Sequence, residues 1–166
     1  MSFVPGPGTE RAYRDALGRF TTGVTVVTCE GPDGPVGITA NSFASVSLDP
    51  PLVLWSPSRA STRFAVFADA RHYSIHVLGE DQRDLGAAFA RHPSDPFSAA
   101  ATDVTAEGVT VLAGCLARFD CVLHARHAGG DHEIVLGRVV RAEAREGDPL
   151  AFHAGRYGTF VPHHGA

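Results

Sequence analysis

Gly37-Ile38-Thr39-Ala40-Asn41-Ser42-Phe43-Ala44-Ser45-Val46-Ser47-Leu48-Asp49-Pro50-Pro51-Leu52-Val53 carries two strands with a proline break between them. Val36 to Ser47 reads as one strand and Leu52 to Ser56 as the next. Between them, Asp49-Pro50-Pro51 cannot donate to a β-ladder at either proline, so the chain leaves the ladder there.

The flanking sequence continues in the same style. Upstream, Thr9 to Phe20 predicts a helix, with Thr9 able to cap it and Tyr13, Ala16, Leu17 and Phe20 at helical spacing on one face. Gly23 to Glu30 is rich in Val and Thr, hence a strand, and ends in the turn-forming Gly31-Pro32-Asp33-Gly34-Pro35. Downstream, Ser61 to Ala70 predicts a short helix and His72 to Leu78 a strand. Asp81 to Arg91 predicts a second helix with Leu85, Ala88 and Phe89 inward. His92 to Gly108 is polar, Ala-rich and aperiodic, as a surface excursion would be. Cys115 to His127 and His132 to Ala144 predict a long hairpin about Ala128-Gly129-Gly130-Asp131, where glycine supplies the positive φ of a tight turn. Six or seven strands with few short helices do not make alternating βαβ units. The fold class is mainly β, an antiparallel Greek-key barrel.

The 166 residues, 44% of them hydrophobic, suffice for one domain with a core. No internal repeat or linker marks a second one, so residues 1–166 read as a single domain, ordered over about 9–160 with a tail at 161–166. A formal net charge of −4 argues against nucleic acid or an anionic membrane as the main partner. No basic, apolar leader and no apolar run near the roughly 20 residues of a membrane span is visible, so a cytoplasmic protein is expected. The three cysteines fit a reducing compartment. Cys115 and Cys121, six apart on one expected strand, would lie about 20 Å from each other. A disulfide needs Cα atoms within about 7 Å.

There is no Gly-x-Gly-x-x-Gly after a strand and no Walker-type loop. The chain offers short donors instead: Thr39, Asn41, Ser42, Ser45 and Ser47, then Ser56, Ser58, Arg59, Ser61, Thr62 and Arg63. Hydroxyls, amides and guanidinium groups suit a phosphate and the polar rim of a heterocycle. Ser and Thr alternating along a strand also form an ordinary solvated face. His124 and His127 are three apart on a strand, which sets them on opposite faces, and His163 and His164 fall in the Gly-ended tail. With no Cys-x-x-Cys or His-Glu-x-x-His, no metal site is expected, and no Gly-x-Ser-x-Gly elbow supports a serine hydrolase.

Four blocks in this order resemble the short-chain flavin reductases, which supply reduced flavin to two-component monooxygenases. They are Tyr13 to Thr28, the Gly37–Val53 run, Gly130-Asp131-His132-Glu133-Ile134-Val135-Leu136-Gly137-Arg138-Val139, and Pro149 to Tyr157. The resemblance implies an FMN-binding split barrel that dimerises. It also implies NAD(P)H:flavin oxidoreductase activity with FMN or FAD as acceptor and NADH or NADPH as donor. Reduced flavin would pass to a separate oxygenase. It implies that Gly37, Thr39, Ala40, Asn41, Ser42 and Ser47 line the isoalloxazine and ribityl chain, and that Ser56, Ser58, Arg59, Ser61, Thr62 and Arg63 reach the phosphate. His132, in the family's Gly-Asp-His motif, becomes the catalytic candidate on the nicotinamide side. A histidine side chain is suited to proton donation around neutral pH. Tyr157, in the Gly-x-Tyr block, is expected to close the same pocket. A flavin-binding electron carrier, or a split barrel reused for another step, is the alternative; Gly130-Asp131-His132 and Tyr157 favour the reductase.

Overall fold

The computed structural model describes residues 2–91 and 96–162. In chain order its elements are α1 (Glu10–Leu17), β1 (Thr22–Gly23), β2 (Thr25–Gly31), β3 (Gly34–Ala40), β4 (Ala44–Leu48) and β5 (Pro51–Trp55). There follow α2 (Phe64–Asp69), β6 (His72–Val77), α3 (Arg83–Arg91), β7 (Thr102–Val104) and β8 (Thr110–Leu112). The chain closes with β9 (Ala117–Gly129), β10 (His132–Ala144), β11 (Leu150–His153) and β12 (Arg156–Thr159). A 3₁₀ turn at Glu80–Gln82 leads into α3.

Seven strands form one antiparallel sheet in the order β3-β2-β6-β9-β10-β5-β4. Its two edges, β3 and β4, are joined by residues 41–43 alone. Those residues reach at most about 14 Å, whereas a flat seven-strand sheet would hold its edges roughly 29 Å apart. The sheet therefore rolls until its edges meet without a ladder between them, which is a split barrel. Asn41-Ser42-Phe43 lies at the seam.

β2 is buried from Thr25 to Cys29 because both its faces are covered. Val27 and Cys29 pack with Trp55, Phe67, Tyr73, Ile75 and Val135, under α2. Val24 and Val26 pack with Leu78, Phe89, Leu112 and Leu150, under α3. Phe89 is fully buried, and so inward as its spacing predicts. Gly37 is fitted to Phe89: a Cβ there would collide with that ring.

Several expectations are corrected. The strand over Val36–Ser47 is two strands, parted at the seam. The helix over Ser61–Ala70 contracts to Phe64–Asp69, because Ser58 to Phe64 forms consecutive turns first. β7 occupies part of the expected excursion, and its residues 92–95 lie outside the described residues, as do His163 and His164. β11, paired with β1 on one side and β12 on the other, adds a three-stranded sheet. Cys115 precedes β9 rather than belonging to it. All three thiols are free, and burial pushes those of Cys29 and Cys121 up to about 12. No helix among the described residues is long and apolar enough to cross a membrane.

Candidate functional site

The seam is held by a single hydroxyl. Ser42 Oγ accepts from the Ser56 backbone N–H at 2.9 Å, tying the β3–β4 link to the end of β5. Phe43 stacks on Phe119 with ring centroids 5.5 Å apart. Beyond Ser56 the chain runs to the tip of the β9–β10 hairpin, because β5 pairs with β10. Ser58 bridges His132, the Arg59 N–H donates to the Asp131 carbonyl at 2.9 Å, and the Glu133 N–H donates to the Pro57 carbonyl at 3.1 Å. Ser42, Ser56, Ser58, Arg59 and His132 thus meet along one rim.

Charge braces this rim. Glu133 accepts from Arg59 at 3.3 Å and from Arg126 at 2.9 Å. Arg126 also donates to the carbonyls of Phe67 and Ala70, at 2.8 and 3.2 Å, and so closes the C-terminal end of α2. Arg59 lies over the Phe64 ring, 5.4 Å from its centroid. Sequence reading missed Arg126 and Glu133; their partners lie in α2 and the 56–63 segment, which local pattern does not connect to β9 and β10.

The 56–63 segment presents usable hydroxyls. Ser58 Oγ accepts from Ala60 N and Ser61 Oγ from Arg63 N, both at 3.3 Å, which leaves each O–H free to donate to an anion. Thr62 is exposed beside them. Arg63 is placed differently. Its Nη1 donates to the carbonyls of Gly37 and Phe89 at 2.9 and 2.7 Å, clasping β3 to α3, and burial lowers its pKa.

The remaining predicted residues separate into groups. Thr39 and Asn41 line a small pocket of about 180 Å³ with Val24, Ala90, Phe152 and Tyr157. There the Thr39 hydroxyl already donates to the Gly86 carbonyl at 2.6 Å. The Ala40 carbonyl accepts from Thr25 at 2.7 Å. Ser47 sits on β4 opposite Leu52, beside a register shift and away from the rim.

His132 is half-exposed, with Nδ1 2.7 Å from Asp131 Oδ1. That hydrogen bond holds the Asp131 carboxyl below its usual range. The His132 ring opens on a cleft shared with Glu10, Tyr13, Arg14 and Leu17 of α1. Tyr157 lines the Thr39 pocket and a second cleft against α3. His132 and Tyr157 therefore face different recesses of one chain. Among the described residues, no group of three or more His, Cys, Asp or Glu side chains could hold a metal ion.

The flavin reductase like domain model matches residues 17–160. Over 158 residues the chain is 54% identical to the FMN reductase (NADH) SmoA of Agrobacterium fabrum, covering 95% of this chain and 90% of that protein. It is 38% identical over 170 residues to HsaB of Rhodococcus jostii, the reductase subunit of a flavin-dependent monooxygenase, covering 98% and 87%. The solved structure of the NADH:FAD oxidoreductase SgcE6 of Streptomyces globisporus, in complex with NAD and FAD fragments, superposes with a TM-score of 0.91. The two sequences are 34% identical, over 99% of this chain and 100% of that one. Matched across its barrel, its seam and its hairpin tip, this chain belongs to the flavin reductase like domain family.

Proposed function

We propose that this protein is an NAD(P)H-dependent flavin reductase. It moves hydride from NADH or NADPH to FMN or FAD and releases reduced flavin to a separate oxygenase. The observation that carries this is the rim where the barrel seam, the hydroxyl-bearing 56–63 segment and the Gly130-Asp131-His132 tip converge. Its relatives SmoA and HsaB are named as an NADH-dependent FMN reductase and a monooxygenase reductase subunit, which supports both halves of the proposal.

The donor set suits a flavin nucleotide. The free O–H groups of Ser58 and Ser61, with Thr62 and Arg59 beside them, match a terminal phosphate. Asn41 and Thr39, walled by Tyr157 and Phe152, match a polar-rimmed ring. When bound, the flavin supplies the hydride acceptor, and the protein supplies position and charge balance. Asp131 can only accept, so it fixes the His132 proton on Nδ1 and leaves Nε2 facing the cleft. His132 thereby offers an oriented ring to the dihydronicotinamide. In this account residues 1–166 work as one cytoplasmic domain, paired as a homodimer.

The test is absorbance of the dihydronicotinamide while purified protein meets NADH or NADPH with FMN or FAD. Rapid oxidation that depends on added flavin is expected. Tight flavin binding without oxidation would transfer the protein to the electron-carrier class.

A further inference from the structure

Tyr157 forms part of two recesses at once. One is the small pocket with Thr39 and Asn41; the other is a cleft of about 700 Å³ between α3 and the turn that opens β12. On the α3 side, Arg83, Ala87 and Arg91 recur every four residues and so share one helix face. On the opposite side stands Arg156, presented by a turn whose Gly155 has φ +77°. Three guanidinium groups therefore line the cleft against one carboxylate, Asp84.

All three arginines are exposed, and none of their guanidinium groups has an ion pair or hydrogen bond among the described residues. Six other arginines of this fold are committed. Arg59, Arg118, Arg126, Arg141 and Arg145 are paired with carboxylates, and Arg63 holds backbone carbonyls. A local excess of two positive charges stands out on a chain of formal net charge −4. Guanidinium forks match phosphate oxygens with paired N–H donors. Ala87 and Ala88 leave an apolar floor, and the volume is that of a small-molecule site.

We propose that this cleft takes the phosphorylated adenosine half of a dinucleotide whose redox-active ring lies on the Thr39 side of Tyr157. The proposal rests on the flavin reductase assignment. Tyr157 is the divider between ring and phosphates, and Arg83, Arg91 and Arg156 are the anion ligands. FAD and NAD(P)H both carry an adenosine diphosphate, whereas FMN and dihydronicotinamide mononucleotide do not, so the two sources can be told apart.

Calorimetric titration of the full-length protein with ADP tests the cleft without turnover. Saturable binding that weakens with added salt is expected, reduced at least about tenfold in Arg83→Ser/Arg91→Ser and again in Arg156→Ser. These side chains are exposed on opposite walls, so the two variants are independent checks. KM values then assign the source. A rise of at least about tenfold for FAD but not FMN places the flavin's adenosine half in the cleft. The same rise for NADH but not its mononucleotide places the hydride donor there. ADP binding that survives all three substitutions, or no ADP binding with KM unchanged for all four nucleotides, overturns the proposal. In that event, flavin-dependent NADH oxidation by the unaltered protein leaves the reductase assignment standing; its absence would remove that assignment instead.

Discussion

Two histidines show how environment divides one residue type between chemistry and stability. His132 is half-exposed and oriented by Asp131, at 2.7 Å. His132→Ala should lower turnover, or raise the KM for NADH, by at least about tenfold while leaving flavin affinity unchanged. Steady-state kinetics with each substrate varied decides this, and unchanged constants for both would remove His132 from the mechanism. His76 is wholly buried. Its Nδ1 lies 3.0 Å from the Val26 carbonyl and must donate, while the Leu112 N–H donates to its Nε2 at 3.1 Å. Both partners fix the neutral ring, and burial, together with the nearby Arg118, holds its pKa down to about 4. Between the ordinary value near 6.5 and 4, the unfolded chain binds a proton that the folded chain refuses. Stability should therefore fall by about 3 kcal/mol as pH drops through that window, and this contribution is complete above it. Urea midpoints measured from pH 7 to 4 should show the loss. In His76→Asn the slope should flatten while the absolute stability drops by about 1–3 kcal/mol, since the Leu112 N–H loses its acceptor. An identical slope in both proteins would show that other groups control acid unfolding.

β10 is the element on which core and site both depend. It pairs with β5 and β9, and its first residues form the hairpin tip. Gly137, beside a register shift in that strand, is buried against Tyr73. A Cβ there would meet the Tyr73 hydroxyl and stand 3.1 Å from Cys121 Cβ. Gly137→Ala should cost about 1–3 kcal/mol through overpacking, whereas Gly158→Ala on β12, where a Cβ meets nothing within 4 Å, should be nearly neutral. Equal urea midpoints for the two variants would contradict this packing. The β9–β10 hairpin is legible in sequence because Gly130, at φ +73°, divides two long apolar–polar runs. β7, β8, β11 and β12 are three or four residues each, too short for a period to register. Val36–Ser47 is overrun as one strand because Asn41-Ser42-Phe43 continues the alternation through the seam. For the site, His132 and the 56–63 segment are visible as motif blocks, yet Arg59 and His132 are 73 positions apart and meet only through β5–β10 pairing. Arg63 reads as a phosphate ligand because a guanidinium suits one, and nothing local reveals that it holds Gly37 and Phe89 in place. Arg83 and Arg91 carry a readable eight-residue spacing, two repeats of four, but Arg156 joins them only through the fold.

Across the whole molecule, the clearest departure from sequence periodicity is α1, which spans Glu10–Leu17 rather than reaching Phe20. Tyr13, Leu17 and Phe20 keep the spacing of a core-facing stripe, yet they are 45%, 57% and 79% exposed, and no residue of α1 is buried. Periodicity states which side chains share a face; it does not state what covers them. Leu48 on the edge strand β4 is 95% exposed, and Val46 beside it 47%. Edge strands and apolar helix faces left bare in one chain are the surfaces that association covers, which supports the homodimer. α1 also walls the cleft onto which His132 opens, so pairing would fix the helix beside that histidine. Burying a Leu or Phe side chain contributes about 1.5–3 kcal/mol. Leu17→Asp/Phe20→Asp should then weaken dimerisation at least about a hundredfold. Sedimentation equilibrium of the unaltered protein at micromolar concentration should give twice the chain mass of 17.5 kDa, and the double variant should approach the monomer. A dimer unaffected by these substitutions would place the interface elsewhere, and a monomeric unaltered protein would leave the α1 stripe bare and remove the homodimer altogether.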